Sequence, residues 1–170
     1  MAESLSCHLR DPLATAQLGA LVARELLDVA PACLVLYFEG DLGAGKTDLI
    51  RAMLAALGHA GRVPSPTYTL VEPYLVDSFR VLHVDLYRLR DPAELEHLGL
   101  ADELGLIDEL GRGSLLLAEW PSRGAGRLPL PDLECHLAIE GTGRQARLTA
   151  QSDAGSLVIR KLEQALPVEF

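Results

Sequence analysis

Residues 38–48 read FEGDLGAGKTD, a glycine-rich turn that follows an apolar run and ends in Lys-Thr-Asp. From Gly40 to Thr47 the chain matches G-x-x-x-x-G-K-[ST], a loop whose backbone N–H groups surround phosphate oxygens. The apolar run CLVLYF before it predicts a buried strand, and the helical period of KTDLIRAMLAAL predicts a helix that ends at Gly58. Because strand, loop and helix occur in this order, the stretch predicts a phosphate-binding P-loop.

The side chains at the end of this loop have distinct expected roles. Lys46 is expected to reach the β- and γ-phosphates, and Thr47 to offer its hydroxyl to Mg²⁺. The positive end of the helix dipole adds to the attraction of phosphate. The chain has only two lysines, Lys46 and Lys161, so a lysine here reflects a chemical requirement. We predict nucleotide contacts at Asp41, Leu42, Gly43, Ala44, Gly45, Lys46, Thr47 and Asp48.

Two further apolar runs end in a carboxylate. VLHVD ends at Asp85 and LLLAE ends at Glu119, and both are predicted to be buried strands. Nucleotides bind at the carboxyl edge of such sheets, where one carboxylate holds magnesium and another group orients water. Asp85 and Glu119 are both candidates for these roles. His83 lies inside the first strand and is interpreted as a core histidine whose hydrogen bonds are satisfied.

The alternation of predicted strands and helices favours an α/β fold with a mostly parallel sheet flanked by helices. A Gly-Thr-Gly turn at 141–143 predicts a C-terminal antiparallel hairpin. Helices are predicted at Leu13–Leu27, ended by Pro31, and in the tail from Ser156. With 170 residues and no low-complexity linker, the chain is predicted to be a single P-loop NTPase domain over 1–170.

The composition argues against several classes of function. The net charge is −9 and the pI about 4.9, so the surface repels bare DNA, RNA and anionic membranes, and we expect another subunit to hold any RNA. The three cysteines are widely spaced and lack C-x-x-C spacing, which argues against disulfides or a thiolate zinc site. The first residues do not resemble a signal peptide, so we expect a cytoplasmic protein.

The sequence contains no asparagine, so the N-K-x-D element by which most signalling GTPases read guanine cannot be present, and ATP is favoured. A small-molecule P-loop kinase is the alternative, because PSRGAGRLP, with Arg123 and Arg127, is similar to an arginine-bearing lid. Trp120 is a candidate lid or stacking residue, although packing is the commoner role of a lone tryptophan. A third possibility is a nucleotide-dependent adaptor with negligible hydrolysis, if Asp48 weakens the site.

Four blocks of the sequence resemble those of the bacterial TsaE (YjeE) family, the small ATPase of tRNA threonylcarbamoyladenosine (t6A) biosynthesis. The blocks are GDLGAGKT, SPTYTLVEPY, VDLYRL.DP.EL..LGL and EWP.RG, and the resemblance extends from Thr15 to about Arg147. It implies a cytoplasmic P-loop ATPase that binds a TsaB–TsaD-type transferase pair and supports its turnover on position 37 of tRNA. We also expect weak hydrolysis by the chain alone and stimulation by these partners, because no arginine is evidently aimed at the γ-phosphate and partner binding could order the SPTYT loop. The contact with tRNA is expected to be indirect.

The resemblance assigns roles residue by residue. It implies that Lys46 and Thr47 contact the phosphates and Mg²⁺. It implies that Asp85 and Glu119 form the acidic pair at the metal and the attacking water. The expected catalytic residues are therefore Lys46, Asp85 and Glu119, and the expected Mg²⁺ ligands are Thr47, Asp85 and Glu119.

The resemblance implies further nucleotide contacts and shows two departures. Thr67 falls in a switch-like loop near the γ-phosphate, and Thr15 and Gly143 fall where the family closes around the nucleotide. The family usually has a second threonine where this chain has Asp48. The segment that contains DELG twice, within 102–111, is longer than expected and is a candidate partner contact. Asp48 either repels the phosphates or turns outward as a helix cap, and we expect Asp48→Thr to tighten ATP binding.

Overall fold

The computed structural model describes residues 3–29, 32–104 and 108–166. Its strands are β1 (Ser4–Leu9), β2 (Cys33–Glu39), β3 (Val71–Leu75), β4 (Phe79–Asp85), β5 (Gly113–Glu119), β6 (Leu133–Glu140) and β7 (Gly143–Ala150). Its α-helices are α1 (Pro12–Leu27), α2 (Lys46–Ala56), α3 (Leu100–Glu103) and α4 (Asp153–Ala165). Two 3₁₀ helices span Pro92–Leu98 and Pro121–Gly124.

The strands form one sheet in the order β1-β7-β6-β2-β5-β4-β3. The four central strands, β6, β2, β5 and β4, run parallel. The strands at both edges are antiparallel to their neighbours, and β6 and β7 form the predicted hairpin. The predicted α/β fold is therefore confirmed. Because parallel neighbours align their carboxyl ends, β2, β4 and β5 all end at one edge of the sheet.

The sheet is buried on both faces, which explains its continuous apolar strands. Side chains of β5 alternate between the two faces: Leu115 and Leu117 pack with α1, α2 and α4, whereas Leu116 and Ala118 pack on the opposite side. That opposite side is covered by the 3₁₀ helices and loops, through residues such as Leu95 and Leu128. Among the described helices, none is both long and apolar enough to cross a bilayer.

Strand β1 was not predicted from the sequence. It pairs with β7 at the edge of the sheet, and its alternation of Leu5, Cys7 and Leu9 with polar residues is the signal that identifies it. Helix α4 also begins earlier than predicted, because the Ser152 hydroxyl accepts a hydrogen bond from the Gly155 N–H and caps it.

Two predictions fall partly outside the described residues. Helix α1 ends at Leu27 with Asp28 as its C-cap, whereas its predicted terminator Pro31 is not described. The last residue of the first DELG copy, at 105, is likewise not described. The second copy forms a turn in which the Gly111 N–H donates to the Asp108 carbonyl at 2.9 Å.

Candidate nucleotide site

The glycine-rich loop connects β2 to α2 and depends on backbone conformations that only glycine adopts easily. Gly40, Gly43 and Gly45 have φ values of 142°, 80° and 101°. A Cβ atom at Gly40 would lie 2.2 Å from the Leu137 carbonyl oxygen, so any side chain there would collide with β6. The glycines therefore allow the loop to leave the sheet and to turn back into α2.

Lys46 begins α2 and is 4% exposed. Its ammonium donates to the carbonyl oxygens of Gly40 at 2.6 Å and Asp41 at 3.0 Å, and lies 4.1 Å from the centroid of the Trp120 ring. Burial lowers the pKa of Lys46, while surrounding carboxylates, Glu119 first, oppose that shift. The loop thus holds a partly desolvated cation at the wall of the cleft, where a phosphate would be strongly attracted.

Asp85 and Glu119 end the neighbouring strands β4 and β5 and are paired in register. Each is 2% exposed. The Thr47 hydroxyl, from the first turn of α2, lies 2.8 and 3.0 Å from the two Glu119 carboxylate oxygens. The fold therefore brings together the three residues that were predicted to hold Mg²⁺. Their hydroxyl and carboxylate oxygens are ligands that Mg²⁺ prefers, so the donor set fits this ion.

Asp85 also anchors the loop that precedes β3. The hydroxyls of Ser65 and Thr67 both donate to its Oδ2 at 2.8 Å, and the Tyr87 N–H donates to its Oδ1 at 2.9 Å. The Ser65 and Thr67 hydroxyls are themselves 2.7 Å apart. Thr67, predicted to lie near the γ-phosphate, is thus hydrogen-bonded to one of the acidic pair.

His83 is fully buried, as expected of a core histidine, but it contacts the other acid, and within the described part of the chain only one of its two ring nitrogens has a hydrogen-bond partner. Its Nε2 is 2.8 Å from Glu119 Oε1, and both side chains are buried. Its Nδ1 has no hydrogen-bond partner among the described residues. His83 lies two residues before Asp85, hence on the same face of β4, and diagonally across from Glu119 on β5. The contact between His83 and Glu119 was not predicted because the sequence does not show how β4 and β5 pair.

Trp120 follows Glu119 in a left-handed backbone conformation, with φ 56°. Its ring centroid is 5.0 Å from that of Tyr87, and the Arg123 guanidinium lies 5.1 Å from the Tyr87 ring. Arg127 instead forms an ion pair with Glu96 on the surface. Of the two arginines in the predicted lid, only Arg123 therefore lies beside the site, stacked on aromatic rings.

These residues surround a cleft of about 430 Å³, a size typical of small-molecule sites. Among all the predicted site residues, those that line it are Leu42, Gly43, Gly45, Lys46, Thr47, Asp48, Thr67, Asp85 and Glu119. Two further residues of the loop lie elsewhere: Ala44 is fully buried, and Asp41 lines a neighbouring groove. Tyr68 and Arg88 also line the cleft, with the guanidinium 4.2 Å from the tyrosine ring centroid.

Thr15 and Gly143 meet behind the P-loop, although 128 positions separate them in sequence. Together with Gly45 and Asp48 they line a cavity of about 60 Å³ between α1 and β7. Arg144, which the sequence analysis did not single out, also lines this cavity. The fold therefore brings both predicted contacts to the loop, on a different side from the acidic pair.

Asp48 points outward but does not cap its helix. Its carboxylate pairs with the Arg51 guanidinium at 2.5 Å, and its side chain is 62% exposed. The N-cap of α2 is Gly45, which has no side chain to accept a hydrogen bond. Asp48 is thus a partly neutralised charge at the border between the cleft and the smaller cavity.

Three features occur together in this parallel α/β core: a glycine-rich loop between β2 and α2, a buried lysine at the end of that loop, and two carboxylates on neighbouring strands. Together they define a P-loop nucleotide-binding protein.

Comparison with known proteins identifies the group within that class. The family model "Threonylcarbamoyl adenosine biosynthesis protein TsaE" matches residues 9–148. The tRNA threonylcarbamoyladenosine biosynthesis protein TsaE of Haemophilus influenzae is 39% identical over 158 residues, 92% of this chain and 96% of that protein. The protein of the same name from Rickettsia felis is 33% identical, over 85% of this chain and 79% of its own length. The chain belongs to the TsaE family.

A solved structure supports the fold. The crystal structure of YdiB from Bacillus subtilus has a TM-score of 0.73 to this chain, with 24% sequence identity and coverage of 97% of both chains. The match covers 97% of both chains, so the likeness in fold is not confined to the P-loop region.

Proposed function

We propose that this chain is an ATP-hydrolysing accessory subunit of the complex that makes N6-threonylcarbamoyladenosine at position 37 of tRNA. The observation that carries the proposal is the arrangement of Lys46, Thr47, Asp85 and Glu119 around one cleft in a member of the TsaE family. The names of its relatives place them in t6A biosynthesis. In this proposal residues 1–170 act as one cytoplasmic P-loop ATPase domain.

The four residues divide the work of ATP hydrolysis. Lys46 binds the β- and γ-phosphate oxygens, and it does so from a buried position where charge interactions are strong. Thr47 and one acid of the pair Asp85 and Glu119 would hold Mg²⁺, which when bound neutralises charge on the phosphates. Of the two acids, the one that does not hold the metal orients the attacking water, and His83 holds Glu119 in place for either role.

A role within a complex explains two properties of the chain. Its net charge of −9 disfavours direct tRNA binding, so we propose that TsaB–TsaD-type transferase subunits hold the tRNA. The loop with Ser65 and Thr67 is tied to Asp85 through short hydrogen bonds. We propose that partner binding shifts this loop towards the γ-phosphate and raises a low basal rate of hydrolysis.

The test is release of inorganic phosphate from ATP by the purified chain, with and without the transferase pair. We expect a low rate alone and a several-fold rise with the partners, and Lys46→Ala should abolish both. Equal rates with and without the partners would refute the assembly role. A small-molecule kinase would instead transfer the γ-phosphoryl group to an acceptor, so formation of ADP that strictly requires an acceptor and releases no inorganic phosphate would favour it.

A further inference from the structure

Arg144 lies near the start of β7 and contacts the P-loop from behind. Its Nε donates to the Ala44 carbonyl at 3.0 Å, and its Nη2 donates to the Gly43 carbonyl at 3.1 Å. Its Nη1 donates to the Gly143 carbonyl on its own strand at 2.8 Å. One guanidinium therefore links two consecutive P-loop carbonyls to the C-terminal hairpin, although about 100 residues separate them in sequence.

These hydrogen bonds fix the orientation of the P-loop peptide groups. In a planar trans peptide the C=O and the following N–H point in opposite directions. Because the Ala44 carbonyl points at Arg144, the Gly45 N–H points in the opposite direction, and Gly45 lies between the main cleft and the smaller cavity. A P-loop binds phosphate through such N–H groups, so a guanidinium on the carbonyl side helps to aim the Gly45 N–H at the phosphates. The Ala44 N–H instead donates to the Asp41 carbonyl at 3.0 Å within the loop.

The backbone that carries Arg144 is held firmly. It pairs with Leu9 on β1 and with Ile139 on β6, so it lies inside a three-stranded part of the sheet. A Cβ atom at the preceding residue, Gly143, would lie 2.6 Å from the Leu9 carbonyl oxygen, which shows how closely β1 and β7 approach. The guanidinium thus extends from a rigid base to a loop whose glycines are conformationally free.

We propose that Arg144 is a positioning residue for nucleotide binding: its guanidinium ties the Gly43 carbonyl to β7 and holds the Ala44–Gly45 peptide in the orientation that binds phosphate. This inference rests on the proposed ATPase function and concerns the same site. Arg144 touches neither of the acids nor Thr47 in the hydrogen bonds described, so its effect falls on nucleotide affinity more than on the chemical step.

The test compares ATP and ADP binding by calorimetry in the full-length chain and in Arg144→Ala, Arg144→Lys and Arg147→Ala. Arg147→Ala is a matched control, because it removes the same charge from an exposed position on the same strand. We expect the dissociation constants of both Arg144 variants to rise roughly tenfold, since lysine keeps the charge but cannot reproduce the fork of donors. The control should stay within about twofold of the original chain.

Hydrolysis at saturating ATP distinguishes positioning from general damage. In Arg144→Lys, which keeps most of the side chain, KM should rise with the dissociation constant while kcat stays within about twofold. Wild-type affinity in either Arg144 variant would overturn the proposal, and so would an equal loss in Arg147→Ala. If the original chain binds no ATP, the proposed function itself fails, whatever the variants do.

Discussion

Replacing Asp48 with threonine tests the residue that directly follows the Lys-Thr pair of the P-loop. The carboxylate borders the cleft and is paired with Arg51 one turn along α2. A threonine there would remove a negative charge near the phosphates and supply a hydroxyl that can donate to a phosphate oxygen. Both changes favour nucleotide binding, so we expect Asp48→Thr to tighten it.

In this structure, the repulsion between Asp48 and the phosphates is smaller than the repulsion that an unpaired carboxylate would cause. Arg51 neutralises much of the Asp48 charge, and the 62% exposure of the carboxylate screens the remainder, which leaves a repulsion of a few tenths of a kcal/mol. A new hydroxyl–phosphate hydrogen bond contributes about 1 kcal/mol. The sum, about 1 kcal/mol, corresponds to roughly fivefold tighter ATP binding.

The assay is calorimetric titration of ATP in the presence of Mg²⁺ at two ionic strengths, and Arg51→Gln makes it a double-mutant cycle. Arg51→Gln alone should weaken binding, because it leaves Asp48 unpaired beside the phosphates. In the Asp48→Thr background, Arg51→Gln should weaken ATP binding less than it does in the original chain. This difference between the two backgrounds should become smaller at high salt. Equal affinities for the original chain and Asp48→Thr would refute the reasoning. Weaker binding by Asp48→Thr would show instead that the carboxylate supports Mg²⁺.

Three further outcomes are expected. Lys46→Ala should abolish ATP turnover while circular dichroism shows an intact fold, and normal turnover would refute the site. Glu119→Ala and Asp85→Ala should each slow ATP hydrolysis more than about twofold. The variant that shifts the Mg²⁺ concentration for half-maximal rate has lost the metal ligand, whereas the variant that is slower at saturating Mg²⁺ has lost the group that orients water. Burial raises the pKa of Cys135 to about 12, which leaves little of the reactive thiolate at pH 8. Iodoacetamide at that pH should therefore label this thiol only after denaturation. Labelling of the native protein at the rate of a free thiol would contradict the burial.

The sequence predicted much of the site because its decisive residues lie in local patterns. The P-loop is contiguous, and Asp85 and Glu119 each end an apolar run that could be read as a strand. Thr67, Thr15 and Gly143 were predicted only through the family resemblance. Their roles remain predictions, although the structure places Thr67 beside Asp85 and the other two behind the loop.

The contacts of His83 and Arg144 could not be predicted from sequence patterns. The contact of His83 with Glu119 depends on the register of β4 against β5, and no local pattern specifies which residue of one parallel strand faces which residue of the next. The contacts of Arg144 with the P-loop depend on β7 being ordered so that its first residues lie behind that loop. Both contacts join segments that are distant along the chain.

The sequence by itself determined most of the elements and the chemistry of the loop, because hydrophobic periodicity, glycine spacing and a Lys-Thr pair act over a few neighbouring residues. The tertiary structure decided which groups share a cleft, which side of the P-loop faces β7, and that Asp48 pairs with Arg51 rather than capping α2. It also placed β1 at the edge of the sheet. These features depend on strand order, register and the burial of charge, which arise only when distant segments pack against one another.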